Sequence, residues 1–153
     1  MRKVTIGKTG IQVSELCYGT LTLGTLQANL SPEDGGRAIR KALELGVNFF
    51  DTAQGYRTYP HLASVLEGIP RDRVVIASKS HAISYAEMKA DIEECLRKLS
   101  LDKVDIFHLH LVRSAEHLAS RKGALHCLLE FQEKGLIGAI GASTHTIEGV
   151  QRA

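Results

Sequence analysis

Cysteine is scarce in this chain and widely scattered: Cys17, Cys95 and Cys127 are the three in 153 residues. An odd, dispersed set argues against a disulfide framework and for a reducing compartment. No C-x-x-C metal pair is present, so all three are expected to be small buried apolar side chains. Excess charge of one sign is also missing. Lys and Arg number 19 against 17 Asp and Glu, a formal net charge of +2. That balance provides no electrostatic footprint for nucleic acid or an anionic membrane. No apolar run approaches the length of a membrane span. The N-terminus, MRKVTIGKTG, lacks the apolar core of a secretory signal. The expectation is a cytoplasmic protein of ordinary globular composition, 44% hydrophobic and 24% charged. With no repeat, low-complexity tract or linker, residues 1–153 are expected to form one domain.

What is present is an alternation of strand-like and helix-like segments. Lys3 to Ile6 and Ile11 to Val13 read as a short hairpin with Gly10 at its turn. LCYGT, Leu16 to Thr20, reads as the first buried strand, and Gly19 near its end allows close approach of a ligand or backbone. Ser31-Pro32-Glu33-Asp34 opens the first helix with a cap, a proline at the first turn and two acids on the positive end of the dipole. Gly35-Gly36 weakens that turn, and Gly46 suits the position after the helix.

Val47 to Asp51 is the second strand, and a short helix over about His61 to Glu67 follows. Val74 to Ser78 is the third strand, with Lys79 just past it. Ser84 and Glu87 form a capping box before the stripe Met88, Ile92, Cys95, Leu96 and Leu99. Val104 to Leu109 is the fourth strand and ends in His110. A helix containing Ala124, Leu125, Leu128, Leu129 and Phe131 leads to Gly135. Ile137 to Ala142 is the fifth strand, and Thr146 caps one more helix. Repeated βα units imply a parallel sheet with right-handed crossovers.

The stretch VNFFDTAQGY, Val47 to Tyr56, is the focal one. A buried strand ends there in an acid, Asp51, and a loop tyrosine, Tyr56. Lys79 and His110 stand at the ends of the next two strands. Titratable groups at successive strand ends fit the catalytic mouth of a parallel barrel. Each has a bland reading: Asp51 as a turn cap, Lys79 as a solvated charge, Tyr56 as a surface ring, His110 as a core histidine. Together the functional reading is preferred. His108 is expected to face away from His110.

These segments resemble the aldo-keto reductase family. The resemblance is carried by IGKTGIQVSELCYGT, GVNFFDTAQGY, VVIASKS, ECLRKLSLDKVDIFHLH and GLIGAIGAS, in that order over essentially the whole chain. SKSH and Ser-Thr-His are similar to a bacterial branch. The resemblance implies a TIM-type (β/α)8 barrel, present as a partial barrel of about five βα units behind an N-terminal β-hairpin. A complete barrel takes roughly 250 residues or more, so the chain reads as C-terminally truncated. It implies reduction of an aldehyde or ketone with NADPH (or NADH). The catalytic set falls on Asp51, Tyr56, Lys79 and His110. Gly19, Thr20, Asp51, Ser143 and Thr144 fall on cofactor-binding positions; the family usually has Asn where this chain has Thr144.

The implied roles are Tyr56 as general acid, Lys79 lowering its pKa, Asp51 orienting Lys79, and His110 polarising the carbonyl. The implied partner is a small carbonyl compound, with self-association through open barrel edges as a further expectation. Two other readings stay open. One is an incomplete barrel acting as a binding or assembly module. The other, ranked low, is a metal-dependent hydrolase using His108 and His110.

Overall fold

The computed structural model describes residues 1–152, with side chains through Gln151. An antiparallel hairpin comes first, β1 (Lys3–Thr5) and β2 (Gln12–Ser14), with Val4 opposite Val13. Five parallel strands follow: β3 (Cys17–Gly19), β4 (Phe49–Asp51), β5 (Val75–Ser80), β6 (Val104–Leu109) and β7 (Ile137–Ala142). Their order across the sheet is their order in the chain. That is the wall of a (β/α) barrel, where each crossover advances by one strand. The helices are α1 (Pro32–Glu44), α2 (Tyr59–Leu66), α3 (Tyr85–Leu99), α4 (Ala115–Ser120), α5 (Lys122–Glu133) and α6 (Ile147–Arg152).

Local chemistry sets the helix ends. Ser31 accepts from the Asp34 N–H at 3.0 Å and starts α1, and Gly46 takes φ 90° beyond its end. Ser84 and Glu87 close the capping box of α3. Thr146 caps α6 by accepting from the Gly149 N–H at 3.0 Å. Gly35 and Gly36 do more than weaken a turn. A Cβ on Gly36 would lie 2.4 Å from Ser64 Oγ, and one on Gly35 would lie 2.5 Å from the His61 ring. Their missing side chains let α1 press against α2.

The period of two along each strand divides the sheet into two faces. Phe50, Ile76, Phe107 and Leu109 point outward into the larger core under the helices, with Ile39, Leu62, Met88, Ile92 and Leu128. Val75, Ala77, Ile106 and Ala139 point into the barrel, where Val13, Ile6 and Ile11 of the hairpin cover their lower end. The inner face is therefore apolar at the strand starts and continues upward through Asp51, Lys79, His108 and His110.

Four expectations need correction. Lys79 lies within β5, not beyond it, because pairing with β6 continues through Ser80 and Leu109. Cys17 is exposed, while Cys95 and Cys127 are buried. It sits on β3, which pairs on one side only, so the wall beside it is open. His108 shares the inner face with His110, since residues two apart on a strand point the same way; it pairs in register with Lys79. The helix before Gly135 is preceded by a separate short one, α4, which Ser114 caps by accepting from His117 N–H at 3.2 Å.

Candidate active site

The site stands where β4, β5 and β6 hand over to their loops. Asp51 is the last residue of β4, and the Thr52 N–H donates to Ala77 O of β5 at 2.8 Å, which carries the pairing one step further. Lys79, two residues up the inner face of β5, is 5% exposed. Its ammonium donates to Asp51 Oδ1 at 2.5 Å and to Thr52 O at 2.8 Å. A lysine this buried requires such partners, since an unpaired charge there would be costly.

Tyr56 ends a 3-10 turn, Gln54–Tyr56, and Arg57 follows in the left-handed region with φ 58°. The Tyr56 ring lies over Lys79, with Nζ 5.1 Å from the ring centroid. His110 meets the same ring edge-on at 5.6 Å between centroids. His81, just beyond β5, stacks on the His110 ring at 4.1 Å and 21°. Asp51, Tyr56, Lys79 and His110 are thus brought together in one contact chain, with His81 added.

The electrostatics differ from the sequence expectation at one point. The Tyr56 hydroxyl is held above its ordinary pKa, first by burial and then by the Asp51 carboxylate. The net direction is upward, against the lowering by Lys79 that the sequence suggests. His110 is pushed down to about 4, first by burial and then by the nearby His81, Lys79, Arg121 and His145. His108 is lowered by burial and by Lys79, against the opposing pull of Asp51. Both imidazoles are therefore neutral at pH 7. The Nδ1 atoms of His108 and His110 are buried without a hydrogen-bond partner.

The other predicted positions have mixed surroundings. Gly19 pairs with Asp51 across β3 and β4, and a Cβ there would meet nothing within 4 Å, so the space above it is open. Thr20 is fully buried and its hydroxyl donates to Asp51 O at 3.1 Å. Ser143 follows β7, and its Oγ accepts from the Leu111 N–H at 3.0 Å, leaving its own hydrogen to donate. Thr144 instead accepts from Thr146 N–H at 3.1 Å, a local turn that its side chain serves.

Three further residues bear on the site without having been legible in the sequence. Thr58 joins Thr20 at 2.7 Å and Thr52 at 2.9 Å through a buried hydroxyl chain that ties the Tyr56 loop to β3 and β4. Gly24 lies against the same loop, where a Cβ would come 2.5 Å from Tyr56 O. Arg121 is fully buried beneath His110. A spacing of two threonines around Tyr56 was the only available hint. Among the described residues no group of three or more His, Cys, Asp and Glu is placed to hold a metal ion. No helix among them is long and apolar enough to cross a membrane.

A parallel barrel wall with a lysine–aspartate pair, a tyrosine and a histidine at its strand ends defines a candidate site of the barrel-mouth class by its form. Comparison with known proteins identifies the group: the model of the aldo/keto reductase family matches residues 15–153, and the chain belongs to that family. It is 32% identical to L-galactose dehydrogenase of Arabidopsis thaliana over 69% of this chain and 36% of that protein. It is 32% identical to methylglyoxal reductase DkgA of Escherichia coli O157:H7 over 86% of this chain and 47% of that protein. Among solved structures, PA4992 of Pseudomonas aeruginosa, assigned to the aldo-keto reductases, superposes with TM-score 0.87 at 29% identity, covering 99% of this chain and 63% of that one. The holo form of aldo-keto reductase AKR11C1 from Bacillus halodurans gives 0.78 at 26% identity, covering 96% and 51%. The chain therefore spans less than two thirds of each of these proteins.

Proposed function

We propose that this chain carries the proton-donating half of an NAD(P)H-dependent carbonyl reductase site. The observation that supports it most is the contact chain Asp51–Lys79–Tyr56–His110 at one barrel mouth. Bound at this mouth, the nicotinamide would supply hydride to the carbonyl carbon. The protein supplies the proton and the orientation. Tyr56 is a phenol at neutral pH, as an ordinary tyrosine is, and its raised pKa keeps the proton in place until transfer. When its proton leaves, the negative charge forms above the Lys79 ammonium, which stabilises it. Asp51 and Thr52 O keep that ammonium in place. His110, neutral and edge-on to Tyr56, offers a ring N–H to the carbonyl oxygen.

The residues present suit the nicotinamide end. Ser143 retains a hydroxyl hydrogen for the carboxamide, and the open space above Gly19 admits a flat ring beside Asp51. Thr144 is the weaker of the two proposed contacts, since its hydroxyl serves Thr146. The choice between NADPH and NADH rests on groups outside these residues. The substrate class is a small aldehyde or ketone; methylglyoxal, the substrate in one relative's name, is a suitable first probe.

A second reading is favoured by the sheet itself. β3 and β7 each pair on one side only, and such edges call for covering strands. In that reading the chain is an assembly module whose site is completed by further strands from a second chain or from additional sequence. Calorimetric titration with NADPH separates the two. Saturable binding by the folded chain is the expected result for the reductase reading. A folded chain that binds no NADPH, yet elutes as a stable oligomer from gel filtration, would favour the module.

A further inference from the structure

Arg121 lies between α4 and α5, with no solvent exposure, and its guanidinium points under the barrel mouth. Nε donates to Ala82 O at 2.9 Å, one terminal nitrogen to His110 O at 2.8 Å, and the other to Ser80 O at 2.7 Å. Its recorded partners are carbonyls, not a carboxylate. A planar guanidinium fork with several fixed donors suits three carbonyl acceptors better than a single ammonium does. Neutral carbonyls offset only part of the desolvation of a buried cation, so the charge remains felt by its neighbours. Placing a full charge there is expensive for a task that an apolar side chain could fill by packing alone.

The three carbonyls belong to the ends of β5 and β6. Ser80 follows Lys79 directly, and the loop from Ser80 to Ala82 carries His81. That loop is held from the other side as well: Ser80 Oγ donates to Asp91 of α3 and accepts from Ala82 N–H at 2.8 Å. His110 is 6% exposed, and its ring contacts the rings of both Tyr56 and His81. Arg121 is therefore the one side chain, among the described contacts, that grips both the His110 backbone and the His81 loop.

We propose that Arg121 is a positioning residue: by clamping the ends of β5 and β6 it fixes the His81–His110 stack against Tyr56. The catalytic meaning of that placement rests on the reductase reading; the placement itself does not. The groups facing the His110 ring are Tyr56 after β4, Lys79 on β5, His81 beyond β5, Arg121 between α4 and α5, and His145 beyond β7. Of these, Arg121 and Lys79 each oppose a proton on His110.

The test uses NMR of the full chain and needs neither cofactor nor substrate. In the unsubstituted protein the Arg121 guanidinium protons should exchange slowly and show couplings across hydrogen bonds to the carbonyls of Ser80, Ala82 and His110. His110 should titrate far below an ordinary histidine. In Arg121→Gln the His110 midpoint should rise by roughly half a unit or more, and contacts between the His81 and His110 rings should weaken. In Arg121→Lys the midpoint should stay low, because the charge remains, while the ring contacts weaken, because one ammonium cannot hold three carbonyls. A merely structural arginine would lower the melting temperature of both variants and leave the His110 titration and ring contacts unchanged in whatever fraction stays folded. That outcome would overturn the proposal. Should neither variant fold, the unsubstituted protein still decides: fast-exchanging guanidinium protons, or an ordinary His110 midpoint, would sink it. In a competent reductase Arg121→Lys should lower kcat more than it changes the Kd for NADPH.

Discussion

The two ends of the same sheet hold two ion pairs that differ in what they leave over. At the strand starts, Arg71 donates to Asp105 at 2.6 Å, to Val74 O at 2.8 Å and to Lys103 O at 3.0 Å. Asp105 also accepts from the Ile76 N–H at 2.8 Å. That pair staples β5 to β6, and its polar atoms are occupied by backbone. At the strand ends, Lys79 and Asp51 bridge β5 to β4 in a similar way, yet around them stand a tyrosine hydroxyl and two buried imidazole nitrogens without partners. The strand-start end has a concavity of 1210 Å³ beside Arg71 and Asp105. Volume is a poor guide here. Unmatched polar capacity held rigid, not space, marks the end that can do chemistry on a small molecule.

Breaking each pair should break a different property. Lys79→Met should lower carbonyl reduction by about 10²–10⁴-fold, because the developing phenolate loses its cation; an NADPH-coupled aldehyde assay reads it. Arg71→Met should leave NADPH binding intact and cost roughly 1–3 kcal/mol of stability, because it strands Asp105 and two carbonyls; urea unfolding reads it. If the two variants behaved alike, the distinction between the ends would fail.

Smaller changes sharpen the same contrast. Gly24→Ala drives a methyl group into Tyr56 O, a backbone atom that cannot swing away. It should cost about 1–3 kcal/mol and displace Tyr56, so turnover falls while the strand-start end is unaffected. The pH dependence of stability should also come from the mouth. His110 binds its proton in the unfolded chain near the ordinary 6.5 but in the folded protein only at about 4. The unfolded state therefore binds more protons between these values, and stability is lost as pH falls from 6.5 towards 4. Replacing His110 by Gln should flatten that window. Ser84→Ala removes the α3 cap, outside both pairs, and should cost about 1 kcal/mol with no change in NADPH binding.

Much of this arrangement was legible because strand ends in a parallel barrel follow directly from the pattern. The fourth and fifth strands emerge with the bounds expected for them, since their apolar runs have clear edges. Asp51 and His110 were readable because each sits at such an edge, Lys79 because it lies near the end of its strand, and Tyr56 because it stands in the loop that follows β4. Their mutual contacts were not readable, nor was the raised Tyr56 pKa, which comes first from burial and then from the Asp51 carboxylate. His108 was misplaced through its own strand parity, which register now settles. Arg121 and Gly24 left no mark in the sequence. Their importance lies in backbone atoms they approach from 30 or more positions away (Gly24 against Tyr56, Arg121 against Ser80 and Ala82), and periodicity carries no record of such meetings.

The most direct test of the proton-donor assignment is aldehyde-dependent oxidation of NADPH by the unsubstituted chain and by Tyr56→Phe, with NADPH binding of both measured by calorimetry. The account predicts equal binding, turnover in the unsubstituted chain, and a loss of about 10²-fold or more in the variant. Equal turnover in the two, or an unsubstituted chain that binds NADPH and oxidises it with no aldehyde offered, would contradict it.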